Sequence, residues 1–252
     1  MRQNLFTAIV LTAGFLSIGF FSGSAQSTEK KITSRPYAWY SYINSLQLAP
    51  KWLLSNDISE RHFLDNGNQL QFTLRSKINY TLGENWNAGI GFAYFLSNTF
   101  DPASTSTLGV PELRPFQEFN NNQKLNRFTI NHRYRIEERY FRKVVNDKLV
   151  NGYNFNFRFR YKFEVEYRFY QSTNNAQSLS FKAGDEIMLN AGKNIVKNTF
   201  EQNRINTAIS YQASNNFTFD LGYTYGFQQR YSGDYNEANI FRFTILHKVK
   251  KR

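Results

Sequence analysis

One stretch, YNFNFRFRYKFEVEYRFY from Tyr153 to Tyr170, constrains the fold more tightly than any other part of the chain. Its odd positions, Tyr153, Phe155, Phe157, Phe159, Tyr161, Phe163, Val165, Tyr167 and Phe169, are all apolar or aromatic. Its even positions run Asn154, Asn156, Arg158, Arg160, Lys162, Glu164, Glu166, Arg168 and Tyr170, and six of these carry charge. Side chains alternate across an extended strand, so the run sorts into an aromatic face and a charged face, whereas a helix would mix the two around its circumference. At roughly 3.3 Å per residue it is about 55–60 Å long, far beyond an ordinary strand. Tilted by about 45°, such a strand crosses a bilayer with length to spare. The reading is a barrel strand, aromatic side to lipid and charged side to the lumen.

Weaker copies of this pattern fill the chain from Tyr37 onward. Leu70, Phe72, Leu74, Ile78 and Tyr80 alternate with Gln71, Thr73, Arg75, Lys77 and Asn79. Trp86, Ala88, Ile90, Phe92, Tyr94 and Leu96 form an outward set against Gly89, Gly91 and Ala93, which leave room inside. Phe128, Ile130, Tyr134 and Ile136 oppose a polar set ending in Arg133, Arg135, Glu137 and Arg139. Phe217, Phe219, Leu221, Tyr223, Tyr225 and Phe227 repeat the theme near the end. The fold expected is all-β: a single-domain, antiparallel transmembrane barrel over residues 26–252. Eleven candidate strands can be marked, and because single-chain bacterial barrels use even counts, about 10–12 are expected. Dropping 37–46 or 112–119 gives ten strands, and a second strand within 171–190 gives twelve. Tight connections at 48–51, 82–85 and 213–216 are assigned to the periplasmic end. Longer, polar ones at 97–111, 140–152, 190–199 and 230–238 are assigned to the outside.

The leading segment reads as an export signal over residues 1–25: Arg2, an apolar run from Leu5 to Phe21, then Gly23-Ser24-Ala25 before Gln26. The expected address is the cell outer membrane. A mean hydropathy of −0.56 speaks against a helical membrane protein but not against a barrel, whose strands are half polar. The absence of Cys removes disulfides, thiolate metal sites and Cys nucleophiles together.

Several stretches together resemble one family: PELRPFQEF (111–119), HRYRIEERYF (132–141), FRFRYKFEVEYRF (157–169), DEIMLN (185–190) and FEQNRINTAISYQ (200–212). In this order they are similar to segments of the outer-membrane barrel family known as domain of unknown function 2490. The resemblance covers nearly all of the chain after the leader. It implies an outer-membrane barrel of a Gram-negative bacterium, and it carries no activity, substrate or cofactor.

The alternation gathers charge in the lumen. Arg114, Glu118, Arg133, Arg135, Glu137, Arg139, Arg158, Arg160, Lys162, Glu164, Glu166, Arg168, Glu186 and Arg204 form the candidate network, with Arg75, Lys77 and Asp220 beside it. One reading is a ladder of ion pairs filling a narrow barrel, structural or ligand-binding in role. The alternative is a passage for a small anionic solute, since the guanidinium fork suits a carboxylate of either origin. Catalysis is not expected. His132 shares the outward phase with Ile130 and Tyr134 but has no Ser beside it, so a lipid-face hydrolase lacks its nucleophile. Glu137 and Glu138 point to opposite faces and cannot act as an acid/base pair. Three scattered His make a metal site unexpected, and no cofactor motif occurs. Nucleic acid is disfavoured because aromatic and basic residues occupy opposite faces, where base stacking with phosphate pairing needs them on one. The partners expected are outer-membrane lipid, lipopolysaccharide and the barrel-assembly machinery.

Overall fold

A computed structural model describes residues 30–101, 104–193, 195, 198–230 and 232–249. The proposed export signal lies outside them. Eleven strands are present among the described residues: β1 (Ile32–Ala49), β2 (Trp52–Phe63), β3 (Gln69–Thr81), β4 (Trp86–Ser97), β5 (Val110–Leu125), β6 (Phe128–Val145), β7 (Lys148–Gln171), β8 (Ser178–Ala191), β9 (Phe200–Gln212), β10 (Phe217–Gln229) and β11 (Tyr235–Val249). Each pairs with its sequence neighbour, and β1 pairs with β11 to close the barrel.

Both uncertain strands are real: 37–46 belongs to β1 and 112–119 to β5. Segment 171–190 supplies a single strand, β8. The count is therefore odd, which dictates how the barrel closes. Neighbouring strands alternate in direction, so the first and the eleventh run the same way and pair in parallel, from Ile32 opposite Tyr235 to Leu46 opposite Val249. Ten other pairs are antiparallel, and this one seam departs from the expected pattern.

One end of the barrel carries the short connections 50–51, 82–85, 126–127, 172–177 and 213–216. The other carries 64–68, 98–109, 146–147, 192–199 and 230–234. The expected external loop 140–152 is instead a continuation of β6 and β7, turned by Asn146 and Asp147 with φ of 50° and 56°. Two successive positive φ values fit a tight hairpin turn that Asn and Asp tolerate, so polar composition did not mean loop here.

Alternation sorts the faces as the sequence pattern implies, because a strand with one charged and one apolar face has only one arrangement inside lipid. Ile90 and Leu221 are 63% and 68% exposed on the outer surface, while Thr73, Phe116, Glu118 and Glu137 inside are each 1% exposed. Near the short-connection end, Trp52 packs on Tyr80 at 4.7 Å between ring centroids and Phe217 stacks on His247 at 4.2 Å. Bulges break the alternation locally. A register shift between Arg168 and Tyr170 turns Tyr170 outward, where it is 48% exposed, although its even number places it in the lumen phase. A shift between Arg61 and His62 lets Leu70 turn inward, against Tyr37, Phe63 and Ile240.

Candidate functional site

The lumen is built from side chains that alternation delivers to one face, and it has two parts. On β3 and β5 to β9 stands a wall of ion pairs. Glu118 takes Lys77 at 2.5 Å and Arg135 at 2.5 Å. Glu137 accepts from Arg160 at 2.7 Å and Arg114 at 3.0 Å, with Arg135 and Arg158 at 3.5 and 3.6 Å. Glu112 holds Arg114 at 2.6 Å and Arg139 at 2.7 Å. Glu201 binds Arg139 at 3.0 Å and also pairs with Arg158. Glu186 joins Arg133 at 2.6 Å to Arg160 at 2.8 Å.

Aromatic rings hold several of these guanidiniums from the other side. Arg114 lies 3.8 Å over Phe95, Arg135 4.6 Å over Phe116 and Arg139 4.4 Å over Phe141. Phe116 can lie there because Gly91, its partner across β4 and β5, has no side chain. A methyl built on Gly91 would run into the Phe116 ring and come within 2.6 Å of the Ser76 carbonyl oxygen. The room that Gly89, Gly91 and Ala93 leave is therefore occupied by neighbouring side chains.

Nine of the fourteen residues marked in the sequence meet in this wall: Arg114, Glu118, Arg133, Arg135, Glu137, Arg139, Arg158, Arg160 and Glu186. Lys162 and Glu164 pair with each other at 2.5 Å, apart from the wall. Glu166 and Arg168 face the lumen toward the short-connection end, and neither reaches an oppositely charged partner within 4.0 Å among the described residues. Arg204 hydrogen-bonds Gln202 at 2.9 Å and likewise has no carboxylate partner there.

Two wall carboxylates escaped the sequence reading. Glu112 shares the phase of Arg114 and Glu118, so the pattern that marked those two could have marked it. Glu201 could not be found that way. Strict alternation from Ile205 sends it outward, and only the register shift between Met188 and Leu189 turns it in beside Gln202.

The second part of the lumen is open. A cavity of about 610 Å³ lies between the wall and β1, β2, β10 and β11. It reaches from Phe100, Arg230 and Ser232 at the long-connection end down to Ile43 and Thr244.

On the outer face, His132 Nδ1 lies 2.9 Å from the Tyr161 hydroxyl, and its ring is 5.2 Å from that of Phe163. His62 contacts Glu60 and the Gly67 carbonyl, and His247 contacts the Tyr42 hydroxyl. None of the three hydrogen-bonds a Ser or Thr among the described residues.

No curated protein matches the chain in sequence. Among solved structures it is similar to OmpT (in-vitro folded), an outer membrane protein of Vibrio cholerae. The identity is 12% and the TM-score 0.36, over 75% of this chain and 55% of that one, so this chain spans about half of that protein's length. The family described as protein of unknown function (DUF2490) matches residues 37–237, which include every strand from β2 to β10 and most of β1. The chain belongs to this family, and the closed eleven-strand barrel with an ion-paired lumen is the fold it contributes.

Proposed function

We propose that the chain is an exported outer-membrane barrel of a Gram-negative bacterium, structural or ligand-binding in role, whose lumen is largely filled by its own charged side chains. The observation that carries this is the outer surface. Ile58, Ile90, Phe92, Ile136, Phe159, Ile205, Leu221 and Phe241 are all more than 40% exposed, and they lie on seven of the eleven strands around the barrel. A water-soluble protein does not leave an apolar surface of that extent bare, and lipid is the solvent that suits it. The same strands send most of their Arg and Glu inward, where the wall neutralises most of those, while Glu60 and Glu138 share the outward phase. On this reading lipid and lipopolysaccharide cover the outside, and the barrel-assembly machinery inserts the chain.

Fractionation with outer membranes, resistance to carbonate and heat-modifiable migration on gels are the expected results. Release by carbonate or salt would sink the assignment. A narrow anion-preferring channel is the second reading, favoured by the surplus of Arg along the cavity. Planar bilayers separate the two. The filled lumen should give little or no steady conductance, and large, stable, anion-selective openings would favour the channel.

A further inference from the structure

The charges around the cavity do not balance. Ten Arg side chains and Lys162 line it, against only Asp57, Glu186 and Glu201. Each of these acids is already held: Asp57 by Arg75 at 3.3 Å, Glu186 by Arg133 and Arg160, and Glu201 by Arg139 and Arg158. Arg114 is paired within the wall. Of the four Arg that remain, Arg230 hydrogen-bonds Asn236 at 3.4 Å near the long-connection end, and Arg61, Arg204 and Arg242 are left over. None has a carboxylate within 4.0 Å among the described residues.

Two of these three, Arg61 and Arg204, meet over Trp39, and Arg242 starts from the position beside it on β11. In the strand register Trp39 lies directly opposite Arg61 on β2 and Arg242 on β11, so the three stand in one row of the lumen face. The Arg61 guanidinium carbon lies 4.1 Å from the centre of the Trp39 ring, and that of Arg204, reaching in from β9, lies 5.0 Å away. Gly222 keeps β10 clear beside Arg242, whose Nη2 is 3.0 Å from where a methyl on that glycine would sit. Arg61 Nη1 donates to Gln71 Oε1 at 2.6 Å and Arg204 Nη2 to Gln202 Oε1 at 2.9 Å, but three other buried donors here are unused. Trp39 Nε1, Arg204 Nε and Arg242 Nε have no hydrogen-bond partner among the described residues.

Buried donors without acceptors are uncommon in folded proteins, and like charges converging on one ring repel unless an anion joins them. A guanidinium fork offers paired N–H donors that match the oxygens of a carboxylate or a phosphate. The cavity also has an apolar side, where Tyr37, Leu70 and Ile240 meet near the long-connection end. Its volume falls in the range of small-molecule sites, roughly 300–1,000 Å³.

We propose that this cavity binds a small amphiphilic anion. Its oxyanion, carboxylate or phosphate, is held by Arg61, Arg204, Arg242 and the Trp39 indole N–H, and its apolar body rests on Tyr37, Leu70 and Ile240. The assignment deepens the ligand-binding reading above, but it needs only the closed barrel and not its cellular address.

The test is made on the chain folded in nonionic-detergent micelles, so that failure of the site and failure of the outer-membrane assignment remain distinct. Trp52→Phe and Trp86→Phe lie on the outer face and leave Trp39 as the sole tryptophan of a chain that has three. Its emission is then followed on addition of benzoate, benzyl phosphate, inorganic phosphate and the neutral benzyl alcohol. Heat-modifiable migration certifies that each variant is folded, and calorimetry on the unsubstituted chain gives an independent affinity.

Saturable responses to benzoate and benzyl phosphate are expected, and their ranking tells a carboxylate ligand from a phosphate one. Arg61→Gln, Arg204→Gln and Arg242→Gln should each weaken binding about tenfold or more, as loss of a hydrogen bond to a charged group does. Arg168→Gln, outside the cavity, should leave it unchanged. The site is overturned if no anion gives a saturable signal by either method, if affinity survives Arg61→Gln and Arg204→Gln together, or if benzyl alcohol binds as well as benzoate. Inorganic phosphate as tight as benzyl phosphate would overturn the apolar half of the assignment.

Discussion

Glu137 illustrates what a single charge is worth inside this barrel. It is 1% exposed and lies within 3.6 Å of four different guanidiniums. A buried ion pair gains little over a well-packed apolar pair, but removing one partner strands the other. Glu137→Gln takes a carboxylate from four guanidiniums at once. Each keeps another, in Glu112, Glu118, Glu201 or Glu186, but the buried wall is left with one more uncompensated positive charge. That should cost about 3–5 kcal/mol of unfolding free energy in detergent, at the level measured for broken buried pairs. Arg160→Met should cost less, because Glu137 keeps three other cations and Glu186 keeps Arg133. Since Arg160 and Glu137 touch at 2.7 Å, the double variant should lose less than the sum by roughly 0.5–3 kcal/mol. Urea unfolding of the four proteins measures this. Additive losses would show that the wall is a set of independent contacts and not a network.

At the scale of elements, the β6–β7 hairpin is the clearest case. Its last pairs, Lys143 with Val150 through Val145 with Lys148, continue past a register shift at Arg142, and its turn sits at Asn146–Asp147. The Asp147 carboxylate lies 2.9 Å from the Ser106 hydroxyl, which ties the 98–109 connection to the hairpin tip. Gly suits the second place of such a turn at least as well as Asp does. Asp147→Gly should therefore keep the hairpin and release the tie. Limited proteolysis should cut the 98–109 connection faster, with the barrel's thermal unfolding unchanged; equal cutting rates would mean that the tie restrains nothing. The hairpin also marks the limit of what was legible in the sequence. Period-two alternation located all eleven strands and the lumen phase of Arg133, Arg135, Glu137, Arg158 and Arg160, because a membrane permits one sorting of faces. It could not locate bulges, each of which shifts the phase by one residue. Tyr170 and Leu70 were misassigned, and Glu201 was missed, for that reason alone. Nor could it see that Trp39 would meet Arg61 and Arg204, since that depends on which strands adjoin and how far each side chain reaches across the lumen.

For the whole molecule, the apolar surface and the closure of the sheet are the properties that matter. Leu221, opposite Ile209 and Phe243, lies within the outer apolar band. Leu221→Arg should cost about 2–4 kcal/mol, the range for Arg on the lipid face at the bilayer midplane, read as slower insertion and a lower unfolding midpoint in lipid vesicles. Closure makes a sharper demand. Eleven strands require β1 and β11 to run alongside in parallel, whereas ten or twelve would bring antiparallel ends together. The chain has no Cys, so engineered thiols report on the seam without background. Ser41 and Thr244 are partners across it, and both line the cavity, where a small oxidant can reach them. Neighbouring strands lie roughly 4.8 Å apart, within the span that a disulfide bridges. Ser41→Cys with Thr244→Cys should therefore crosslink in the folded barrel and give a distinct band on nonreducing gels after heating. Ser41→Cys with Ile245→Cys should not, because one step along β11 moves the thiol to the lipid face. Crosslinking of the second pair in place of the first would mean that the seam is out of register by one residue. Crosslinking of neither, with Ser41→Cys and Thr244→Cys each still reactive toward a soluble maleimide, would mean that β1 and β11 do not adjoin and that the barrel closes some other way.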